Sequence, residues 1–150
     1  MPVTKAWKSY YQTATLTAPP GQIILMLYDG ALRFLDRALA GFDSEDPAQL
    51  NMAVNNNLQR AQDIIRELDC ALNLEKGGDL AETLHRLYEY FDDRIQASNL
   101  KKQRSGIEEV IKHLNELRDA WATMLRGDTG IALAANDAPQ PALAAVPAEF

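Results

Sequence analysis

The chain has a single cysteine, Cys70, in 150 residues. No internal disulfide can form, and thiolates cannot assemble a zinc site. Cys70 is expected to be a small, partly buried residue near the end of a helix. No stretch approaches the ~20 consecutive apolar residues that a bilayer crossing requires. Met1-Pro2-Val3-Thr4-Lys5 lacks the apolar run and small-residue cleavage site of a secretory signal, so a cytoplasmic location without membrane insertion is expected. Positive charge is in short supply. Fifteen Lys and Arg stand against 21 Asp and Glu, a formal net charge of −6 that argues against nucleic acid as the main partner. The short basic cluster Lys101-Lys102-Gln103-Arg104 reads as a solvated loop. Also absent are a Gly-x-Ser-x-Gly elbow, a Gly-rich phosphate loop and a Cys paired by motif with His. Nothing in the sequence requires an enzyme.

What is present is helical periodicity. Pro2, Pro19, Pro20, Pro47, Pro139, Pro141 and Pro147 all fall outside the periodic runs, as a helix-rich chain demands. Four amphipathic segments fill the spaces between them. The first, about Pro20 to Ala40, carries Ile24, Leu27, Tyr28, Ala31, Leu35, Ala38 and Phe42 at three- and four-residue steps. Its interior glycine, Gly30, is expected to let a neighbouring helix approach. The second opens with Asp46 as cap, Pro47 in the first helical position and Gln49 where a capping-box partner belongs. Its stripe is Leu50, Val54, Leu58, Ala61, Ile65, Leu68 and Leu72, and at least two of Asn55, Asn56 and Asn57 should face solvent. Gly77-Gly78 is the expected break before the third segment, with Leu80, Leu84, Tyr88, Phe91 and Ile95. The fourth opens on Ser105-Gly106-Ile107-Glu108, a capping-box pattern, and carries Ile107, Ile111, Leu114, Leu117, Trp121 and Leu125 up to Gly127. Four helices of about 20 residues, each ~30 Å long and joined by short connections, predict an all-α, antiparallel up-down four-helix bundle over residues 19–126.

Two ends remain. Residues 1–18 form an N-terminal arm with Trp7, Tyr10 and Tyr11. Residues 127–150 form an alanine- and proline-rich tail, expected to be disordered because small side chains cannot offset the entropy of ordering. Arg126-Gly127-Asp128 spells an adhesion tripeptide, read as coincidence in a chain without a secretion signal.

The histidines offer two further chemistries. Glu82-Thr83-Leu84-His85 has the Glu-x-x-His spacing of di-iron bundles, but His113 has Val110 three residues before it, so the second half of that site is missing. A phospho-accepting histidine would need a small, basic, glycine-containing surround that His85 lacks. No metal or cofactor is expected. A binding protein remains, with five tyrosines that can serve either boundary packing or a partner. An apolar groove between bundle helices would suit an amphipathic segment of that partner.

Four pieces, in order, carry a likeness to a known family: Met26-Leu27-Tyr28-Asp29-Gly30-Ala31; Leu72-Asn73-Leu74-Glu75-Lys76-Gly77-Gly78-Asp79-Leu80; Leu87-Tyr88-Glu89-Tyr90-Phe91; and Leu117-Arg118-Asp119-Ala120-Trp121. With Tyr10 before the first helix, they resemble the flagellin-specific export chaperone family, FliS, over roughly residues 7–126. The resemblance implies a cytoplasmic helical bundle that binds the C-terminal segment of newly made flagellin, prevents premature polymerisation and helps deliver it to the membrane export gate. Some members also bind regulators of flagellar gene expression. On this basis Tyr10, Ile24, Leu27, Tyr28, Leu87, Tyr88 and Tyr90 are the expected client contacts. Trp7, Tyr10 and Leu16 of the arm are expected to lie over the groove until the client displaces them. The alternative reading is a helical adaptor or anti-assembly regulator with a different client. The chain departs from the family pattern at Pro19-Pro20-Gly21, where members commonly place a hydroxyl residue, proline and an acidic residue, and in its long tail.

Overall fold

A computed structural model describes residues 20–135, with side chains described for 21–126. Four helices and no strand occupy the described residues: α1 (Pro20–Gly41), α2 (Pro47–Cys70), α3 (Leu74–Lys101) and α4 (Ser105–Ala135). The start of α2 is as the local chemistry dictates. Asp46 is extended and its Oδ1 accepts the Ala48 N–H at 3.0 Å, while Pro47 takes the position where a missing N–H costs nothing.

Three boundaries differ from the sequence-based expectation, each for a local reason. Asn73 caps α3 by accepting the Lys76 N–H at 2.9 Å, so a helical turn forms before the double glycine. Gly78 then adopts φ 60°, ψ −139°, a conformation almost closed to other residues, and kinks the element instead of preceding it. At α4, the Glu108 N–H donates to the Arg104 carbonyl at 2.9 Å, so Ser105 is already helical and the Ser105–Glu108 box does not close. The same helix continues through Gly127 to Ala135. Each glycine there costs about 1 kcal/mol against alanine, and the alanines that follow are the best helix formers available.

Long-range contacts define the topology. Phe34 meets Arg60 and Gly41 meets Ala53, which runs α1 and α2 in opposite directions. Asn55 pairs with Asn99, Gln62 with Asp92, and Asp69 with His85, fixing α2 against α3 in the same sense. Arg94 holds Glu109 and Phe91 stacks on His113 between α3 and α4. Asp29 pairs with Arg118, and Gly21 with Trp121, between α4 and α1. Each helix thus packs on its sequence neighbours, and α1 closes the ring on α4. Gly106 permits the close approach of α4 to α3, since a Cβ there would overlap the Ser98 hydroxyl and sit 3.0 Å from the Arg94 carbonyl oxygen.

The expected stripes form the core. Val54, Leu58, Ala61, Ile65, Leu68, Leu84, Phe91, Ile95, Ile107 and Leu114 are buried, whereas Phe42, Leu50, Leu72, Leu80, Ile111, Leu117 and Leu125 pack partly buried around them. Helix α1 buries more than its stripe, because Ile23, Leu32 and Phe34 are also covered. Gly30 is buried in this helix. Of Asn55, Asn56 and Asn57, only Asn56 is exposed, not the two or more expected. Asn55 accepts from Asn99 at 2.9 Å and Asn57 donates to the Ala53 carbonyl at 2.8 Å, so both are half-buried through bonds the sequence does not reveal. Cys70 corrects another expectation: it is exposed, as the last residue of α2.

Candidate partner-binding site

Tyr28 from α1 and Tyr88 from α3 reach across the bundle and join hydroxyls at 2.6 Å. Each tyrosine belongs to its helix's apolar stripe, so its ring is drawn inward and its hydroxyl must find a partner away from water. Each supplies the other's. Burial pushes the Tyr28 hydroxyl up to about 12, with the bond to Tyr88 acting in the opposite direction. Tyr88 is raised as well, chiefly by burial and further by Tyr28. Both groups are therefore neutral at any physiological pH, and the contact is a plain hydrogen bond.

Residues around Tyr28 complete the arrangement. The next residue, Asp29, accepts from Arg118 Nε at 2.8 Å, and this bond is the main cause that raises the Arg118 guanidinium further. Trp121, 1% exposed, donates its indole N–H to the Gly21 carbonyl at 2.8 Å. Three of the sequence segments singled out above are thus tied to one another through Tyr28–Tyr88 and Asp29–Arg118. On the outer side of α3, Tyr90 donates to Glu109, which also accepts from Arg94 Nε at 2.9 Å. These bonds, that of Tyr90 first, hold the Glu109 carboxyl below its usual range and raise the Tyr90 hydroxyl.

The expected contact residues separate into groups. Ile24, Leu27, Tyr28 and Tyr88 are at most 4% exposed and belong to the core, so contact with a client there requires displacing what covers them. Leu87 is half-buried, and Tyr90, 43% exposed, presents real surface. Trp7, Tyr10 and Leu16 lie outside the described residues. The pairs Asp29–Arg118 and Gly21–Trp121 were not foreseen as contacts, since separations of 89 and 100 residues leave no local signal.

His85 lies between two carboxylates, with Nδ1 2.7 Å from Asp69 and Nε2 3.1 Å from Glu89. Only the doubly protonated ring donates to both, and the Asp69 bond accordingly raises its pKa above the ordinary value. Among the described residues no group of three or more His, Cys, Asp or Glu side chains is placed to hold a metal, and no helix is long and apolar enough to cross a membrane.

The class defined by this architecture is an antiparallel helical bundle whose buried tyrosine pair and adjoining ion pair tie three of its four helices together. The profile of the family described as "Flagellar protein FliS" matches residues 3–128. The chain belongs to that family. It is 30% identical over 128 residues to the flagellar secretion chaperone FliS of Bacillus subtilis (strain 168), covering 85% of this chain and 92% of that one. It is 36% identical over 111 residues to the protein of the same name from Salmonella typhimurium, covering 73% and 79%. The flagellar secretion chaperone FliS of Campylobacter jejuni is 33% identical over 124 residues, covering 83% and 94%.

Proposed function

We propose that this protein is a flagellar secretion chaperone of the cytoplasm that binds the C-terminal segment of flagellin. It acts by stoichiometric binding, with no catalytic step. The observation that carries the reading is the match along nearly the whole chain to a family whose relatives are named flagellar secretion chaperones. Holding the segment that polymerises keeps subunits from assembling before export, and the complex is then presented to the export gate. A flagellar regulatory protein is a further partner under the same reading.

The bundle suits this work because its surface is built on rigid helices. Leu87 and Tyr90 offer contact surface as the chain stands. Ile24, Leu27, Tyr28 and Tyr88 join the interface once their covering neighbours are displaced, and Tyr10, Trp7 and Leu16 of the arm act as the displaceable cover. Deleting residues 1–16 then raises binding of a hydrophobic dye by the free protein, and unchanged dye binding removes the cover from the account.

Calorimetric titration with a peptide of roughly the last forty residues of flagellin from the same organism tests the function. One-to-one binding with a negative heat-capacity change and a gain of helix is expected, because a disordered segment that orders on a partner buries apolar area as it folds. A folded bundle that gives no heat and no helix gain overturns the flagellin assignment and leaves an adaptor for another client.

A further inference from the structure

The surface of the α1–α2 layer holds an unusual set of arginines. Phe34 of α1 is 9% exposed, and two guanidiniums rest over its ring, Arg37 from α1 at 5.4 Å from the centroid and Arg60 from α2 at 5.5 Å. Arg33, exposed, lies one helical turn before Arg37 on the same face of α1. Among the described residues none of these three arginines pairs with a carboxylate. Arg66, Arg86, Arg94, Arg104 and Arg118 all do. The contrast is sharper because the chain carries more acid than base, with a net charge of −6.

Fold stability accounts for part of this. A cation over an aromatic face is attracted by the ring quadrupole, so Arg37 and Arg60 gain something from Phe34. That attraction does not explain Arg33, which among the described residues meets neither ring nor carboxylate, and it does not remove the mutual repulsion of three like charges. A guanidinium attracted to a ring face by its charge spends no N–H donor on that contact, and its donors match a carboxylate in fork geometry. Phe34 therefore orients two guanidiniums from different helices without consuming their hydrogen-bonding capacity. Such pre-ordering lowers the entropy lost when a ligand arrives.

We propose that Arg37 and Arg60, held at Phe34, together with Arg33 one helical turn before Arg37, form a docking site for an acidic segment of a second protein. Charge complementarity selects the occupant. Guanidiniums spread over two helices are met by several carboxylates along one peptide, and closely approached charge pairs of this kind govern partner choice and encounter rate. An extended nucleic acid fits poorly, because a patch this short offers few cations to a backbone that is charged at every nucleotide. The site shares no residue with the client contacts named above, and its test uses no flagellin.

The probe is a fluorescein-labelled peptide of three Glu-Glu-Leu repeats, titrated against the full-length protein by fluorescence polarisation. The same peptide with glutamine for glutamate, and a labelled oligothymidine, serve as comparisons. The acidic peptide is expected to bind saturably, more tightly than either comparison, and to weaken as salt rises. Arg33→Glu and Arg37→Glu should each weaken it about tenfold, the scale of one lost charge-assisted hydrogen bond. Arg86→Glu, with the same charge change on α3, should leave it within about twofold, since its charge lies on another helix and is felt only through screened, long-range interaction. Among the described residues only Arg37 and Arg60 lie over the Phe34 ring, so the Arg33 variant keeps the fold if Arg37→Glu does not, as circular dichroism will show. Absence of binding, equal binding of the glutamine peptide, tighter binding of oligothymidine, or equal loss in Arg86→Glu overturns the proposal.

Discussion

Removing one hydroxyl of the Tyr28–Tyr88 pair should cost more than removing both. Tyr28→Phe keeps the ring and its packing but leaves the Tyr88 hydroxyl, in a residue 3% exposed, without its 2.6 Å partner. An orphaned buried hydroxyl costs about 1–3 kcal/mol, and in a 150-residue chain each kcal/mol lowers Tm by roughly 2–4 °C. Each single variant should therefore melt about 2–12 °C below the parent. The double variant, with two apolar rings facing each other, should recover much of that loss and show a coupling of about 0.5–3 kcal/mol in a double-mutant cycle. Urea unfolding followed by circular dichroism reads all four proteins. Alkali supplies a second measure. The folded Tyr28 hydroxyl is raised to about 12 while the unfolded one titrates near 10. The unfolded chain thus sheds protons first, and stability falls as pH climbs from about 10 toward 12. Phenylalanine at either position should blunt that fall. Singles indistinguishable from the parent, or a double variant equal to the sum of the singles, would refute the argument.

Three other perturbations probe separate parts of the bundle. Trp121→Ala empties a fully buried site and removes the bond to the Gly21 carbonyl, so a loss of about 3–5 kcal/mol is expected from denaturant titration. Gly106→Ala forces a Cβ onto the Ser98 hydroxyl and to 3.0 Å from the Arg94 carbonyl, and should cost about 1–3 kcal/mol by separating α3 from α4, visible as a lower Tm. His85 is raised above its ordinary pKa by Asp69, so its contribution is complete below about pH 6.5 and disappears as pH rises through the raised folded value. His85→Gln should flatten the Tm profile measured from about pH 5 to 8, and an unchanged profile would exclude His85 as its source.

Features settled within a few residues were legible in the sequence. The Asp46–Pro47 start and the inward stripes needed only capping chemistry and a 3.6-residue period, and both are present. Competition between neighbouring signals was harder to judge. Gly77-Gly78 and Asn73 both offered a boundary, and the side-chain cap set the helix start while the glycine set the kink. Ser105 lost the capping position to Arg104, and Gly127 was outweighed by the alanines that follow it. The candidate site was legible only as a set of residue types. Tyrosine at positions 28 and 88 suits an interface and a bundle interior equally, and only their hydroxyls meeting across the core decides between the two.

The closure of the ring between α1 and α4 bears on how the chain is made. Contacts of α1 with α2, α2 with α3 and α3 with α4 join consecutive helices and can form while synthesis continues. Those between α1 and α4 span 89 and 100 residues and must wait until nearly all of the bundle has left the ribosome. Until α4 is available, the flanks of α1 and α3 that it covers lack their partner. The last seam to close on synthesis is the one whose partners lie farthest apart along the chain, and the Asp29–Arg118 and Gly21–Trp121 pairs hold it.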